Sequence, residues 1–170
     1  MSATQTLSPA LDTLRQALAG QYVSHTTYQG ELSVVVKAEE VHDFLKNLRD
    51  VHGFDYLVDI STVDHYRDEA RFEVSYNVYA LEKRLRIRVK TFLEEENPEL
   101  PTVTDIWPSA NWYEREAYDM MGIQFQHHPD LRRIYMPEDF QFFPLRKEFP
   151  LIGIPGSIQM PEKEGPKGYK

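Results

Sequence analysis

The stretch FEVSYNVYALEKRLRIRVKT, residues 72–91, decides the fold. Phe72, Val74, Tyr76 and Val78 recur at every second position, and Leu85, Ile87, Val89 and Thr91 do so against Arg84, Arg86, Arg88 and Lys90. A period of two sends alternate side chains to opposite faces, so two sequential strands are predicted here. Phe54, Tyr56, Val58 and Ile60 alternate in the same way and add a third strand upstream. The wholly basic outer face of the last strand has two readings, a nucleic-acid surface or a solvated face paired across strands. Acids such as Asp59, Glu73 and Glu82 on neighbouring segments favour the second.

Toward the N-terminus, Tyr22–Tyr28 and Glu31–Lys37 are β-rich runs around Gln29-Gly30, a hairpin signal. Ser8 and Pro9 open a short helix, with Leu11, Leu14 and Leu18 on one face and Gly20 as its stop. A second helix is predicted where Val41, Phe44, Leu45, Leu48 and Val51 recur at helical spacing before Gly53. These elements imply an α+β fold, a mixed β-sheet with helices packed on one face.

Ten of the eleven prolines lie from Pro98 onward, so regular structure thins there. One more helix fits near residues 109–121, between Pro108 and Gly122. The chain is therefore read as an α+β domain over 1–128 and a long, extended, proline-rich tail over 129–170. That tail is apolar as well, interleaving Leu131, Ile134, Tyr135, Met136, Phe140, Phe142, Phe143, Leu145, Phe149, Leu151, Ile152 and Ile154 with its prolines. Fully extended it would reach roughly 130 Å, against a radius of gyration near ~14 Å for the domain. It either wraps its own domain or lies along a partner, and its length and aromatic content favour a partner.

A length of 170 residues suits a single domain, and 41% hydrophobic residues supply a core. With 19 basic and 27 acidic residues the net charge is −8, which argues against nucleic acid and anionic lipid. The absence of cysteine removes thiolate-bound iron–sulfur clusters, cysteine-ligated zinc, disulfides and thiol nucleophiles. The longest aliphatic run, Val34–Val36, is far below the roughly 20 residues of a membrane span. Met1–Gly20 lacks the basic start and apolar centre of a signal peptide, so a cytosolic or peripheral protein is expected.

The densest chemistry is WYEREAYDMMGI, residues 112–123, followed by HHPDLRR, residues 127–133. On a helix Tyr113, Ala117, Met120 and Met121 share one arc, and Trp112, Arg115, Glu116 and Asp119 another. Arg115 and Asp119, four apart, are expected to pair, leaving Glu114 and Glu116 to accept hydrogen bonds or to meet Arg132 and Arg133. A metal site or hydrolase centre using Glu114, Glu116, Asp119 and His128 is the competing reading. Against it, Glu114 and Glu116 point about 200° apart on a helix and cannot chelate one ion unaided. Adjacent His127 and His128 diverge and lack His-x-x-x-His spacing, so His128 is read as a structural or interface residue.

The run Glu114–Ile123, then Phe125, His128-Pro129, Leu131–Ile134 and the closing Phe143–Leu151 with Arg146, closely resembles the signature of the thirty-kilodalton subunit, or C subunit, of proton-translocating NADH:quinone oxidoreductase, respiratory complex I. His127 stands where that signature usually has glycine. The resemblance implies a cofactor-free structural subunit of the hydrophilic arm. It would pack on the neighbouring large quinone-site subunit as part of a hetero-oligomer, with flavin mononucleotide and iron–sulfur clusters in partner subunits. It further implies a peripheral position on the cytoplasmic side of the inner (plasma) membrane. Glu114, Arg115, Glu116, Asp119, His128, Arg132, Arg133 and Arg146 are its signature and interface residues, with no catalytic, cofactor-binding or metal residue. The absence of Gly-x-Gly-x-x-Gly and of a phosphate-binding Gly-x-x-x-x-Gly-Lys-Ser/Thr agrees independently. The equivalent subunit of a membrane-bound hydrogenase, or of a complex fed by another donor, is the nearest alternative.

Overall fold

A computed structural model describes residues 7–66 and 70–154. The first helix, α1 (Pro9–Ala17), starts as expected, with the Ser8 hydroxyl accepting the Leu11 N–H at 3.3 Å. Strands β1 (Ser24–Tyr28) and β2 (Glu31–Val35) form the hairpin; Gln29 and Gly30 both have positive φ, the geometry of a primed two-residue turn. A short 3-10 turn leads into α2 (Val41–Asp50), whose Val41, Phe44, Leu45 and Leu48 are buried.

Strands β3 (Tyr56–Asp64), β4 (Phe72–Ala80) and β5 (Leu85–Leu93) complete a five-stranded sheet of order β1-β2-β5-β4-β3. Only the β2–β5 pair is parallel, so the sheet is mixed and the fold α+β. Phe72, Val74, Tyr76 and Val78 are wholly buried and share one core with Ile87, Val89, Leu32, Val34 and the α1 and α2 leucines. The basic stripe on β5 is a paired surface: Lys90 meets Glu73 at 2.8 Å, Arg86 and Arg88 approach Glu31, and Arg88 donates to Asn77, which donates to Asp59.

β3 departs from simple alternation. The register with β4 shifts between Leu57 and Asp59, so Leu57 and Ile60 point inward while Tyr56 is exposed. This bulge leaves the Val58 carbonyl free of the ladder, and it accepts the Tyr113 hydroxyl at 2.9 Å. That bond fixes α3 (Ala110–Met121) against β3. Two strands that alternation does not announce, β6 (Glu99–Pro101) and β7 (Gln124–Gln126), pair in parallel on either side of α3 in sequence. They tie the loop before the helix to the segment after it.

Residues 127–154 contain no helix or strand, as the proline spacing predicts. The boundary at 128 does not, however, end the packing. Residues 131–149 fold back onto the domain: Phe140 is buried, Leu145 N–H donates to the Met120 carbonyl, and Lys147 N–H donates to Asp64. The physical reason is the supply of buried acceptors, the carboxylates of Asp64 and Asp119 and the open end of α3, which an extended backbone can satisfy without regular structure. The expected extension over 155–170 lies outside the described residues.

Candidate functional site

Helix α3 carries the signature, and its charged residues are almost all buried because the tail covers them. Asp119 is fully enclosed. Its Oδ2 accepts the backbone N–H groups of Ile134, Tyr135 and Met136 at 3.0, 2.7 and 3.0 Å, and its Oδ1 meets the Arg133 guanidinium at 2.7 Å. Burial alone would raise this carboxyl; the Met136 and Tyr135 N–H groups, then Arg133 and Ile134, outweigh it and hold it below the usual range.

The expected Arg115–Asp119 pair is not formed. Arg115 turns its fork to the Arg132 and Arg133 carbonyls at 3.0 and 3.3 Å and stacks on Trp112. The helical spacing permits the pair, but three convergent N–H groups and Arg133 already saturate Asp119. Arg133 therefore serves Asp119 and not Glu114 or Glu116, while Arg132 is exposed and pairs with Asp130. Glu116 is exposed and has no hydrogen bond or ion pair among the described residues.

Glu114 points the other way, into the core. It is fully buried, accepting the Val103 N–H at 2.7 Å and the Thr102 hydroxyl at 2.5 Å. Burial pushes its carboxyl up to about 7 against those two hydrogen bonds; nearby Asp105 adds to the rise and His42 opposes it. His128 lies beside it, its Nε2 3.8 Å from Glu114 Oε2, and burial lowers its pKa against the opposing influence of the Asn111 backbone. The two histidines do diverge: His127 is exposed with φ of 64°, and His128 has its side chain buried. A left-handed backbone at His127 explains why glycine suits that position.

Glu114, Glu116 and Asp119 thus occupy three separate surroundings, and among the described residues no three His, Asp or Glu side chains are grouped to hold a metal ion. A cavity of about 580 Å3 opens beside Glu114, lined by His42, Thr102, Thr104, Asp105, Asn111 and His127 among others. In its wall His42 and Asp105 pair at 3.0 Å; burial opposes the charge on His42, but Asp105 and then Asp43 keep its pKa raised.

The tail's second anchor includes residues that periodicity does not single out. Asp64 accepts Arg71 at 2.9 Å through both Nε and Nη2, and the N–H groups of Tyr66 and Lys147 at 2.8 Å each; Arg71 also meets Glu148 and Glu95. Burial works against the Asp64 charge, yet Arg71 and the Lys147 and Tyr66 N–H groups bring its pKa down to about 2. Arg146 donates to the Met121 carbonyl at 2.7 Å and lies between the rings of Phe72 and Phe143. Its signature position thereby acquires a function, closing the C-terminal end of α3. Asp64 and Arg71 lie on either side of residues 67–69, and only their distance in sequence from the tail hides them.

This α+β domain, with a helix whose carboxylates hold an extended tail, defines a class of accessory subunit in respiratory complexes. A family model described as respiratory-chain NADH dehydrogenase, 30 Kd subunit, matches residues 34–154, and the chain belongs to that family. The second of two C subunits of NADH-quinone oxidoreductase in Rhizobium meliloti (strain 1021) is 47% identical over 139 residues, covering 81% of this chain and 76% of the relative. The C subunit of the same enzyme in Geotalea uraniireducens (strain Rf4) is 39% identical over 155 residues, 91% of this chain and 90% of the relative. Among solved structures, Nqo5 as its trypsin-resistant fragment (1-134) superposes with a TM-score of 0.64 at 38% identity, over 72% of this chain and 99% of that one. A chain of a membrane-bound sulfane sulfur reductase, an archaeal respiratory membrane complex, superposes with a TM-score of 0.73 at 25% identity, over 85% and 88%. The chain is a subunit of a multi-subunit, membrane-bound respiratory enzyme, and among the described residues no helix is long and apolar enough to cross a membrane.

Proposed function

We propose that this chain is a scaffold subunit without a redox centre of its own in proton-translocating NADH:quinone oxidoreductase. It holds the large quinone-site subunit in place while flavin mononucleotide and iron–sulfur clusters in partner subunits carry the electrons. The observation that carries this reading is the tail. Residues 131–149 are stitched to Asp119, α3 and Asp64, so the apolar segment after them leaves the domain from a fixed point; Leu151 and Ile152 are 109% and 95% exposed. An aligned, solvent-facing apolar strand of this kind gains by lying on another protein. The cysteine-free sequence and the separate surroundings of Glu114, Glu116 and Asp119 support a structural contribution over a chemical one. Fixed geometry matters to a neighbouring redox site because small displacements there cost rate. The trypsin-resistant 1-134 fragment of the Nqo5 relative supports a division between a stable body and a tail that completes the assembly. We place the chain on the cytoplasmic side of the inner membrane, peripherally, with its large partner.

The likeness to the sulfane sulfur reductase chain favours one second reading, the same scaffold part in a complex fed by another donor. Native mass spectrometry of the complex captured from detergent-solubilised membranes through this chain tests both. Flavin- and cluster-bearing NADH-oxidising partners support the first reading, and a different donor module supports the second. A chain recovered alone, or carrying a stoichiometric metal, would overturn both.

A further inference from the structure

Asp64, Glu114 and Asp119 are buried carboxylates that hold this chain together, and they are not equally supplied. Asp64 and Asp119 each accept several backbone N–H groups and each meets a guanidinium. Glu114 has two donors, one N–H and one hydroxyl, and no arginine or lysine in pairing distance among the described residues. The third group turned toward it is constrained. His128 Nδ1 accepts the Asp130 N–H at 3.0 Å, so a neutral imidazole must carry its proton on Nε2, 3.8 Å from Glu114 Oε2. That Nε2 is buried and makes no hydrogen bond among the described residues, and neither does the buried Tyr76 hydroxyl on β4. An ionised carboxylate in such a site is under-solvated, whereas a protonated one is not.

The two hydroxyls beside Glu114 offer a route for the proton. Thr102 Oγ1 lies 2.5 Å from Glu114 Oε2 and 3.0 Å from Thr104 Oγ1, and both threonines line the 580 Å3 cavity. We infer that Glu114 is a buried proton-binding site that exchanges with solvent through the Thr104 and Thr102 hydroxyls. Uptake is balanced in three transfers. A solvent proton joins Thr104 Oγ1, the proton already there passes to Thr102 Oγ1, and the Thr102 proton passes to Glu114 Oε2. Each threonine ends with one proton, and the chain of hydrogen bonds has reversed direction, Glu114 now donating to Thr102 and Thr102 to Thr104. The charged and titratable groups around the site are Asp105 and His42 in the cavity wall, Tyr76 on β4, and His128 with its neighbours Arg115 and Asp130. Asp105 favours the protonated form and His42 opposes it. This inference concerns the domain itself and does not rest on the scaffold reading.

Nuclear magnetic resonance of the full chain with carbon-13 at the glutamate side-chain carboxyls tests it, the Glu114 signal being assigned through bonds from its own amide. Between about pH 5 and about pH 9 the signal should move with a midpoint near 7, as one population-averaged line. Thr102→Val removes a donor to the anion and should raise the midpoint by about one unit. Thr104→Val leaves that donor in place but breaks the route, so the line should broaden or split near the midpoint. A Glu114 signal that stays at its ionised position down to pH ~5 would overturn the site. An unchanged single line in Thr104→Val would overturn the route. Because the first measurement uses the unaltered chain, a variant that fails to fold does not shelter the proposal.

Discussion

Gly122 and Phe143 touch so closely that a β-carbon on the glycine would lie 2.7 Å from the phenylalanine ring, and 2.8 Å from Arg146 Nη2. The glycine ends α3 with φ of 77°, and the tail closes over it. Gly122→Ala should therefore cost about 2 to 4 kcal/mol, from the left-handed backbone and the displaced ring together. Chemical denaturation should show the loss, and limited proteolysis should cut the variant first between residues 137 and 149. A variant as stable and as resistant as the parent would mean that the ring does not rest there.

Arg115 and Glu116 are neighbours with opposite expectations. Arg115→Lys keeps the charge but cannot reach the Arg132 and Arg133 carbonyls with one planar fork, so stability should fall by about 1 to 2 kcal/mol and less complex should assemble. Exposed Glu116→Gln should change stability by no more than about 0.5 kcal/mol and leave turnover per assembled complex unchanged. Quinone reductase activity normalised to intact complex checks both; a fully assembled but inactive Glu116→Gln complex would refute the scaffold reading.

His127 holds a φ of 64° on an exposed residue. His127→Gly removes that strain at the cost of a more flexible unfolded chain, and a net gain of about 1 kcal/mol is expected in chemical denaturation. An unchanged or lower stability would mean that the left-handed turn carries no strain.

The buried carboxylates should give the stability profile two opposite slopes. Asp64 has its pKa lowered from 3.8 to about 2, so its contribution is present above pH 3.8 and is lost as pH falls toward 2, about 2 kcal/mol in all. Glu114 has its pKa raised from 4.5 to about 7, so the folded state binds the proton more tightly than the unfolded one. Stability from this group is greatest below pH 4.5 and declines as pH rises through 7, by about 3 kcal/mol. Denaturation across this range should show Asp64→Asn losing the acid limb and Glu114→Gln flattening the neutral one.

The sequence alone determined the parts whose signal is local. Alternation in 72–91 predicted β4 and β5, Ser8 and Gly122 bounded helices, and proline density predicted a tail without regular structure. The motif from Glu114 to Arg133 also marked the right helix. Periodicity could not show which partner each charge would take, because at helical spacing Arg115 can reach Asp119 as readily as a distant carbonyl. Only the tertiary structure decided that Asp119 gathers the tail's N–H groups, that Arg115 holds the tail's carbonyls, and that Glu114 turns inward to Thr102 and Val103. It also decided that residues 131–149 cover their own domain, through Asp64, Arg71 and the end of α3. The physical reason is that strands and helices follow from the chemistry of neighbours in sequence, whereas a buried charge is satisfied by whatever donors the folded chain brings within about 3 Å of it.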